Sequence, residues 1–194
     1  MPLTLANKIT IVRIFCIPLF VLCIIYYSLG VARGDTHLAL RWLGLAVFLG
    51  IFLLDAVDGY LARSRREITR LGTLLDPLAD KAALVSALIL LSGHSAEEAF
   101  VPHLPVWFAL VAISRDVILV VGALIIQSVA GSVSIQPRIL GKITTFFQGT
   151  AILWVLIGLP GRPLVWVLCI TAFFTAASAA QYLLDGVIQL EREK

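Results

Sequence analysis

LLDAVDGYLARSRREITRLGTLLDPLADK, residues 53–81, places four aspartates and two glycines between long apolar runs. An ionisable group inside a membrane span is expensive, so each one is a functional candidate. On a helix each residue advances about 100°. Asp55 and Asp58 are three apart and share a face, and Gly59 with Ala62 forms a shallow notch beside them. Gly72, Asp76 and Asp80 are spaced by four and form a second stripe. If the two helices face each other, four carboxylates converge at one end of a bundle.

The rest of the chain gives this stretch its setting. Of 194 residues, 60% are hydrophobic and 14% charged. A spanning helix needs about 20 apolar residues, so the apolar content could supply around six. Such a composition excludes a disordered chain, a secreted disulfide scaffold and an ordinary soluble enzyme. A net charge of +3 implies no nucleic-acid surface. Cys16, Cys23 and Cys169 all lie in apolar stretches, as small packing residues rather than a disulfide framework or a zinc site.

Six apolar segments stand out, near residues 11–29, 38–62, 72–92, 104–127, 139–159 and 163–185. None alternates as a barrel strand would. GVARGDTH, RSRREITR, SGHSAEEAFVPH, SVAGSVSIQPR and LPGRP separate them with turn or charge signals. The expected fold is all-α: a polytopic membrane protein with six transmembrane helices in one bundle, a single domain over residues 1–194. The opening PLTLANKIT is mildly amphipathic and is expected to lie along the membrane surface as a short juxtamembrane segment.

Basic residues orient the bundle. Six spans put both termini on one side. Ten Lys and Arg residues collect there, among them Lys8, Arg13, Arg63, Arg138 and Lys142, against Arg33, Arg41 and Arg162 opposite. The positive-inside rule makes the richer side cytoplasmic, and a bacterial inner membrane is the expected location. Arg65, Arg66 and Arg70 serve as topology signals and lipid-headgroup contacts.

Four clustered carboxylates cannot stay anionic and unpaired, because burial and mutual repulsion would protonate some of them. Two divalent cations remove the conflict, since a charge of −4 meets +4. An all-oxygen donor set suits Mg²⁺, Mn²⁺ or Ca²⁺ rather than zinc. Paired metals held by carboxylates are a device for displacement at phosphorus. Gly59 and Gly72 would admit a ligand close to the backbone. Arg63 could grip a phosphate with its planar fork.

Asp55, Asp58, Gly59, Ala62, Arg63, Gly72, Asp76 and Asp80 spell D-x2-D-G-x2-A-R-x8-G-x3-D-x3-D. This resembles the signature of the CDP-alcohol phosphatidyltransferase family at every fixed position. The resemblance implies an enzyme that joins a CDP-linked lipid to an alcohol and releases CMP. It implies two divalent metals, Mg²⁺ or Mn²⁺, with Asp55, Asp58 and Asp76 as ligands and Asp80 approaching the second metal. Asp80 is then the general base, and Gly59, Ala62, Arg63 and Gly72 line the CDP site. A homodimer is implied as well.

ANKITIVRIFCIPLF and RLGTLLDPLADK resemble the glycerol-headgroup branch, made up of the phosphatidylglycerophosphate synthases and the related cardiolipin synthases. Asn7, Thr10 and Arg13 could then support the nucleotide or a metal. Arg115, Arg138 and Lys142 could bind an anionic acceptor such as glycerol 3-phosphate, although Arg115 beside Asp116 could equally tie helices together. Arg115-Asp116-Val117 followed by apolar residues, and the late TAFFTAASAAQYL, resemble the cardiolipin synthases. Phosphatidylglycerol is therefore the alternative acceptor.

A cation transporter would also explain intramembrane carboxylates. It would not explain their clustering at one membrane face with Gly59, Arg63 and Gly72, and no inverted repeat is visible. His37, His94 and His103 fall in the outer loops, away from the acids. Trp42, Trp107 and Trp166 near span ends suit interfacial anchoring. The small-residue run from Thr175 to Ala180 suits close helix packing, with a dimer contact as one possibility.

Overall fold

Lipid offers no partner for backbone N–H and C=O groups, so an apolar run must close its hydrogen bonds within itself as a helix. The structure, a computed structural model, describes the backbone of residues 5–35, 37–65, 70–130 and 139–192. Side chains are described for residues 10–35, 37–54, 57, 79–122 and 140–182. Among the described residues there are seven helices and no strand: α1 (Leu5–Ala32), α2 (Leu38–Arg65), α3 (Arg70–Ser92), α4 (His94–Ala99), α5 (Val106–Ala130), α6 (Ile139–Ile157) and α7 (Gly161–Arg192). Six of them coincide with the six apolar segments. Three stretches are long and apolar enough to cross a membrane over their described residues: Thr10–Ala32, Leu140–Ile157 and Gly161–Tyr182. The molecule is an integral membrane protein.

Two differences from the sequence reading stand out. From Leu5 onward, the expected surface segment is continuous with α1. The stretch taken as an outer loop contains α4, whose Ala96 and Ala99, with the following Phe100, are buried. Its physical cause is a partner. Tyr27 of α1 donates its hydroxyl to the Ala99 carbonyl at 3.3 Å, and its ring meets Phe100 at 5.2 Å.

The chain divides into two compact units. Met1–His103 with Val155–Leu159 is the first, and Leu104–Trp154 with Pro160–Lys194 is the second. In the first, α1 packs against α2, α3 and α4. Thr10, Arg13, Ile17, Phe20, Ile24 and Tyr27 are all buried, recurring at alternating steps of three and four residues along one face of α1. Phe20 and Phe48 meet at 5.3 Å between ring centroids. A Cβ on Gly44 would sit 2.8 Å from the Ile24 Cδ1, so the missing side chain lets α1 and α2 approach closely. Such close approach at small residues replaces a hydrophobic drive that lipid cannot supply. Opposite faces are apolar and exposed, as at Phe15 and Tyr26, which suits contact with lipid.

Where α1 ends, Arg41 of α2 closes the tail of α6. Its Nε and Nη2 donate to the carbonyls of Leu156 and Val155 at 2.9 and 3.1 Å. Its guanidinium also lies 5.3 Å from the Phe100 ring centroid. A cation on the last carbonyls of a helix satisfies acceptors the helix cannot and meets its negative end. Gly158 follows with φ +84, a left-handed turn that glycine adopts without strain.

In the second unit α5 and α7 pack together. Thr171, Thr175 and Ser178 are buried on α7, so the small-residue run does serve close packing. Thr144, Thr171 and Thr175 return their hydroxyls to the carbonyl four residues earlier, which satisfies them inside an apolar seam. Trp42, Trp107 and Trp166 are exposed, as interfacial anchors would be. Of the cysteines only Cys23 is buried, while Cys169 is exposed.

Candidate active site

The motif occupies a helix–connection–helix unit within the first compact unit. Asp55, Asp58, Gly59, Ala62 and Arg63 fall on the last turns of α2, and Gly72, Asp76 and Asp80 on the first three turns of α3. Helical backbone through both stretches preserves the three- and four-residue spacings that align the acids. The side chains of Asp55, Asp58, Ala62, Arg63 and Asp76, and the surroundings of Gly59 and Gly72, lie outside the described residues, as does the side chain of Asn7.

Side-chain geometry begins at Asp80. Its Oδ1 accepts a bond from Arg13 Nη1 of α1 at 3.0 Å. Arg13 is wholly buried, whereas the Asp80 side chain is 39% exposed. Beside Asp80, Ala79 and Ala83 are buried, so this part of α3 presents small residues inward where α1 packs against it. Thr10, also buried, lies one turn before Arg13 on the same face. A guanidinium withdrawn from water needs an anionic partner, and the pairing here joins α1 to the motif.

From sequence alone, Arg13 carries only an orientation charge and a general supporting role. The missed signal is periodic. Arg13 falls on the stripe shared by Ile17, Phe20, Ile24 and Tyr27, so an inward position could have been inferred.

The acceptor candidates fall in the second unit. Arg115 is buried, with Nη1 on Asp116 Oδ1 at 2.8 Å and Nη2 on Ser178 Oγ at 2.9 Å. Its Nε has no hydrogen-bond partner among the described residues. A Cβ on Gly141 would stand 3.0 Å from Nη2, so α6 uses glycine where Arg115 packs. Lys142 is exposed on the first turn of α6, and Arg138 lies outside the described residues. The helix-tying network around Arg115 is thus present.

Carboxylate oxygens alone, on successive helical turns, are a donor set that fits hard divalent cations and not zinc. The Asp80 side chain, the motif carboxylate that is described, is partly exposed. Histidines do not compete: His37 contacts Asp35 at 3.3 Å and His94 contacts Glu97 at 3.4 Å, both at the surface.

Residues 3–177 match the CDP-alcohol phosphatidyltransferase family. The chain belongs to that family. It is therefore a transferase of phospholipid biosynthesis, in a family that uses divalent metal. Among its relatives is the CDP-diacylglycerol–glycerol-3-phosphate 3-phosphatidyltransferase of Bacillus subtilis, 33% identical over 187 residues and covering 92% of each chain. A probable phosphatidylglycerophosphate synthase of Mycobacterium tuberculosis is 31% identical, over 90% of this transferase and 74% of its own length. A CMP-forming cardiolipin synthase of Streptomyces coelicolor is 33% identical over 144 residues, 74% of this transferase and 60% of its own length.

Proposed function

We propose that this transferase moves the phosphatidyl group of CDP-diacylglycerol to a hydroxyl of glycerol 3-phosphate, giving phosphatidylglycerophosphate and CMP. The observation that carries the choice of acceptor is the near full-length similarity to the Bacillus subtilis enzyme, which is named for that acceptor. In the reaction the acceptor hydroxyl oxygen bonds to the phosphorus bearing diacylglycerol. The bond from that phosphorus to the CMP phosphate oxygen breaks, and CMP leaves with the electron pair. Asp80 takes the hydroxyl proton, a role for which it must come within hydrogen-bond reach.

Asp55, Asp58, Asp76 and Asp80 are assigned to two divalent cations, Mg²⁺ or Mn²⁺, which would supply positive charge against the pyrophosphate. Gly59, Ala62, Arg63, Gly72, Asn7 and Thr10 are assigned to the CDP moiety. Arg115, Arg138 and Lys142 are assigned to the acceptor phosphate. The buried Arg115 Nε, without a partner among the described residues, supports a place for an anion there. This reading takes residues 1–194 as one six-span domain in a bacterial inner membrane, working as a homodimer, with termini and site cytoplasmic. Acyl chains then stay in lipid while headgroups react at the inner surface.

Phosphatidylglycerol is the second acceptor reading, yielding cardiolipin. It is favoured by the similarity to the Streptomyces coelicolor enzyme and by the engagement of Arg115 with Asp116 and Ser178. The deciding experiment supplies purified protein and CDP-diacylglycerol with each acceptor separately and weighs the lipid product. Phosphatidylglycerophosphate is expected. Cardiolipin as sole product would replace the first reading with the second. A chelator is expected to stop CMP release, and added Mg²⁺ or Mn²⁺ to restore it.

A further inference from the structure

Arg13 stands outside the aspartate motif, some forty residues before it, yet it is the described side chain that holds a motif carboxylate. Three observations bear on its role. It is wholly buried, although arginine is among the residues least often found inside. It sits on the inward stripe of α1, one turn from the buried Thr10, in a helix packed along both α2 and α3. Its Nη1 reaches Asp80 Oδ1 at 3.0 Å, while the Asp80 side chain keeps 39% of its surface exposed.

A carboxylate on a helix rotates about two side-chain bonds, and its oxygens sweep a wide arc. A planar guanidinium fixed by packing removes that freedom, because its donors lie in one plane and cannot follow a rotating partner. We propose that Arg13 is a positioning residue: it holds Asp80 in one orientation from the buried side, so that the exposed side of the same carboxylate stays aimed at the reacting groups. The inference rests on the reading of Asp80 as the proton-accepting group, with Asp55, Asp58 and Asp76 as the principal metal ligands. Arg13 itself touches neither substrate nor metal. It acts by orientation, and it does not strengthen metal binding, since a positive charge beside the carboxylates repels cations.

That distinction gives the test. Arg13→Gln, Arg13→Lys and Asp80→Asn are purified in detergent, with thermal unfolding as the check on folding. Steady-state CMP release gives kcat and KM, and Mn²⁺ titration without substrate gives metal affinity. Arg13→Gln is expected to lower kcat by about tenfold or more, in the range by which a displaced group impairs catalysis. KM for CDP-diacylglycerol should stay within about twofold, and Mn²⁺ affinity should be unchanged or tighter. Arg13→Lys keeps the charge without the fork, so its kcat should fall between wild type and Arg13→Gln.

Loss of kcat together with weaker Mn²⁺ binding would overturn the proposal, because the site would then have come apart rather than turned. A raised KM at normal kcat would also overturn it, since Arg13 would then be a substrate contact. So would a lysine variant equal to wild type or to the glutamine variant. If Arg13→Gln does not fold, Arg13→Lys decides alone: kcat reduced at least about threefold with Mn²⁺ affinity retained supports the role, and wild-type kcat ends it. Asp80→Asn separates the two levels. If that variant keeps normal turnover, the reading of Asp80 is wrong. If it is inactive while Arg13→Gln is normal, only the inference about Arg13 fails.

Discussion

Two arginine contacts lie about 21 Å apart along α1, at positions 13 and 27, judged from the helical rise per residue. At the first, Arg13 meets the carboxylate of Asp80, which remains partly open to its surroundings. At the second, Arg41 lies against Tyr27 and Phe100 and spends its donors on the Val155 and Leu156 carbonyls. The same side chain is used in two ways. Backbone carbonyls at a helix end take a cation and have no further chemistry to offer. A carboxylate takes the cation and keeps acceptor capacity for another partner. Stability should concentrate at the Arg41 end and activity at the Arg13 end.

The strongest way to break this contrast is at Asp80. Asp80→Asn should reduce CMP release per folded molecule by about a thousandfold, the scale of a lost proton acceptor, and should also lower the unfolding temperature, because the buried Arg13 loses its anionic partner. A variant that loses stability but keeps its turnover per folded molecule would make Asp80 a structural group like the carbonyls opposite. Arg41→Gln should act on stability, costing about 2–3 kcal/mol through lost charged hydrogen bonds. Its turnover per folded molecule should stay within about twofold, measured after size-exclusion selection. Gly158→Ala sharpens the same end. A side chain at φ +84 is strained, and the new Cβ would lie 2.5 Å from Arg41 Nη2. A loss of about 1–2 kcal/mol is expected in the same unfolding assay. Gly44→Ala, between the two ends, should be nearly silent. Alanine favours the helix while the Ile24 methyl must shift, so the net change should stay below about 0.5 kcal/mol.

Much of the fold was legible because a lipid-facing helix must be apolar for about 20 residues, a signal that needs no tertiary partner. All six apolar segments are helices. α4 was not legible, since HSAEEA is too short and too polar to show a period, and only Tyr27 and Phe100 explain its docking. Of the candidate site, the sequence shows acids recurring at helical spacing within one stretch, at Asp55, Asp58, Asp76 and Asp80, and the backbone there is helical. At Arg13 the inward position was legible from periodicity but the partner was not, because sequence separation hides which helix lies beside α3. Arg115 shows the opposite case: its neighbour Asp116 could be read from the chain, but Ser178 and Gly141 could not.

Sequence alone determined that this protein is helical, that it lives in a membrane, and that four aspartates recur at helical spacing within one stretch. Those properties follow from the cost of bare backbone and bare charge in lipid, which each segment must answer for itself. Tertiary structure decided which arginine meets which acceptor. Arg13 reaches Asp80 across 67 positions, and Arg41 reaches Leu156 across 115. Such pairings depend on how helices pack side by side, and local periodicity carries no record of that.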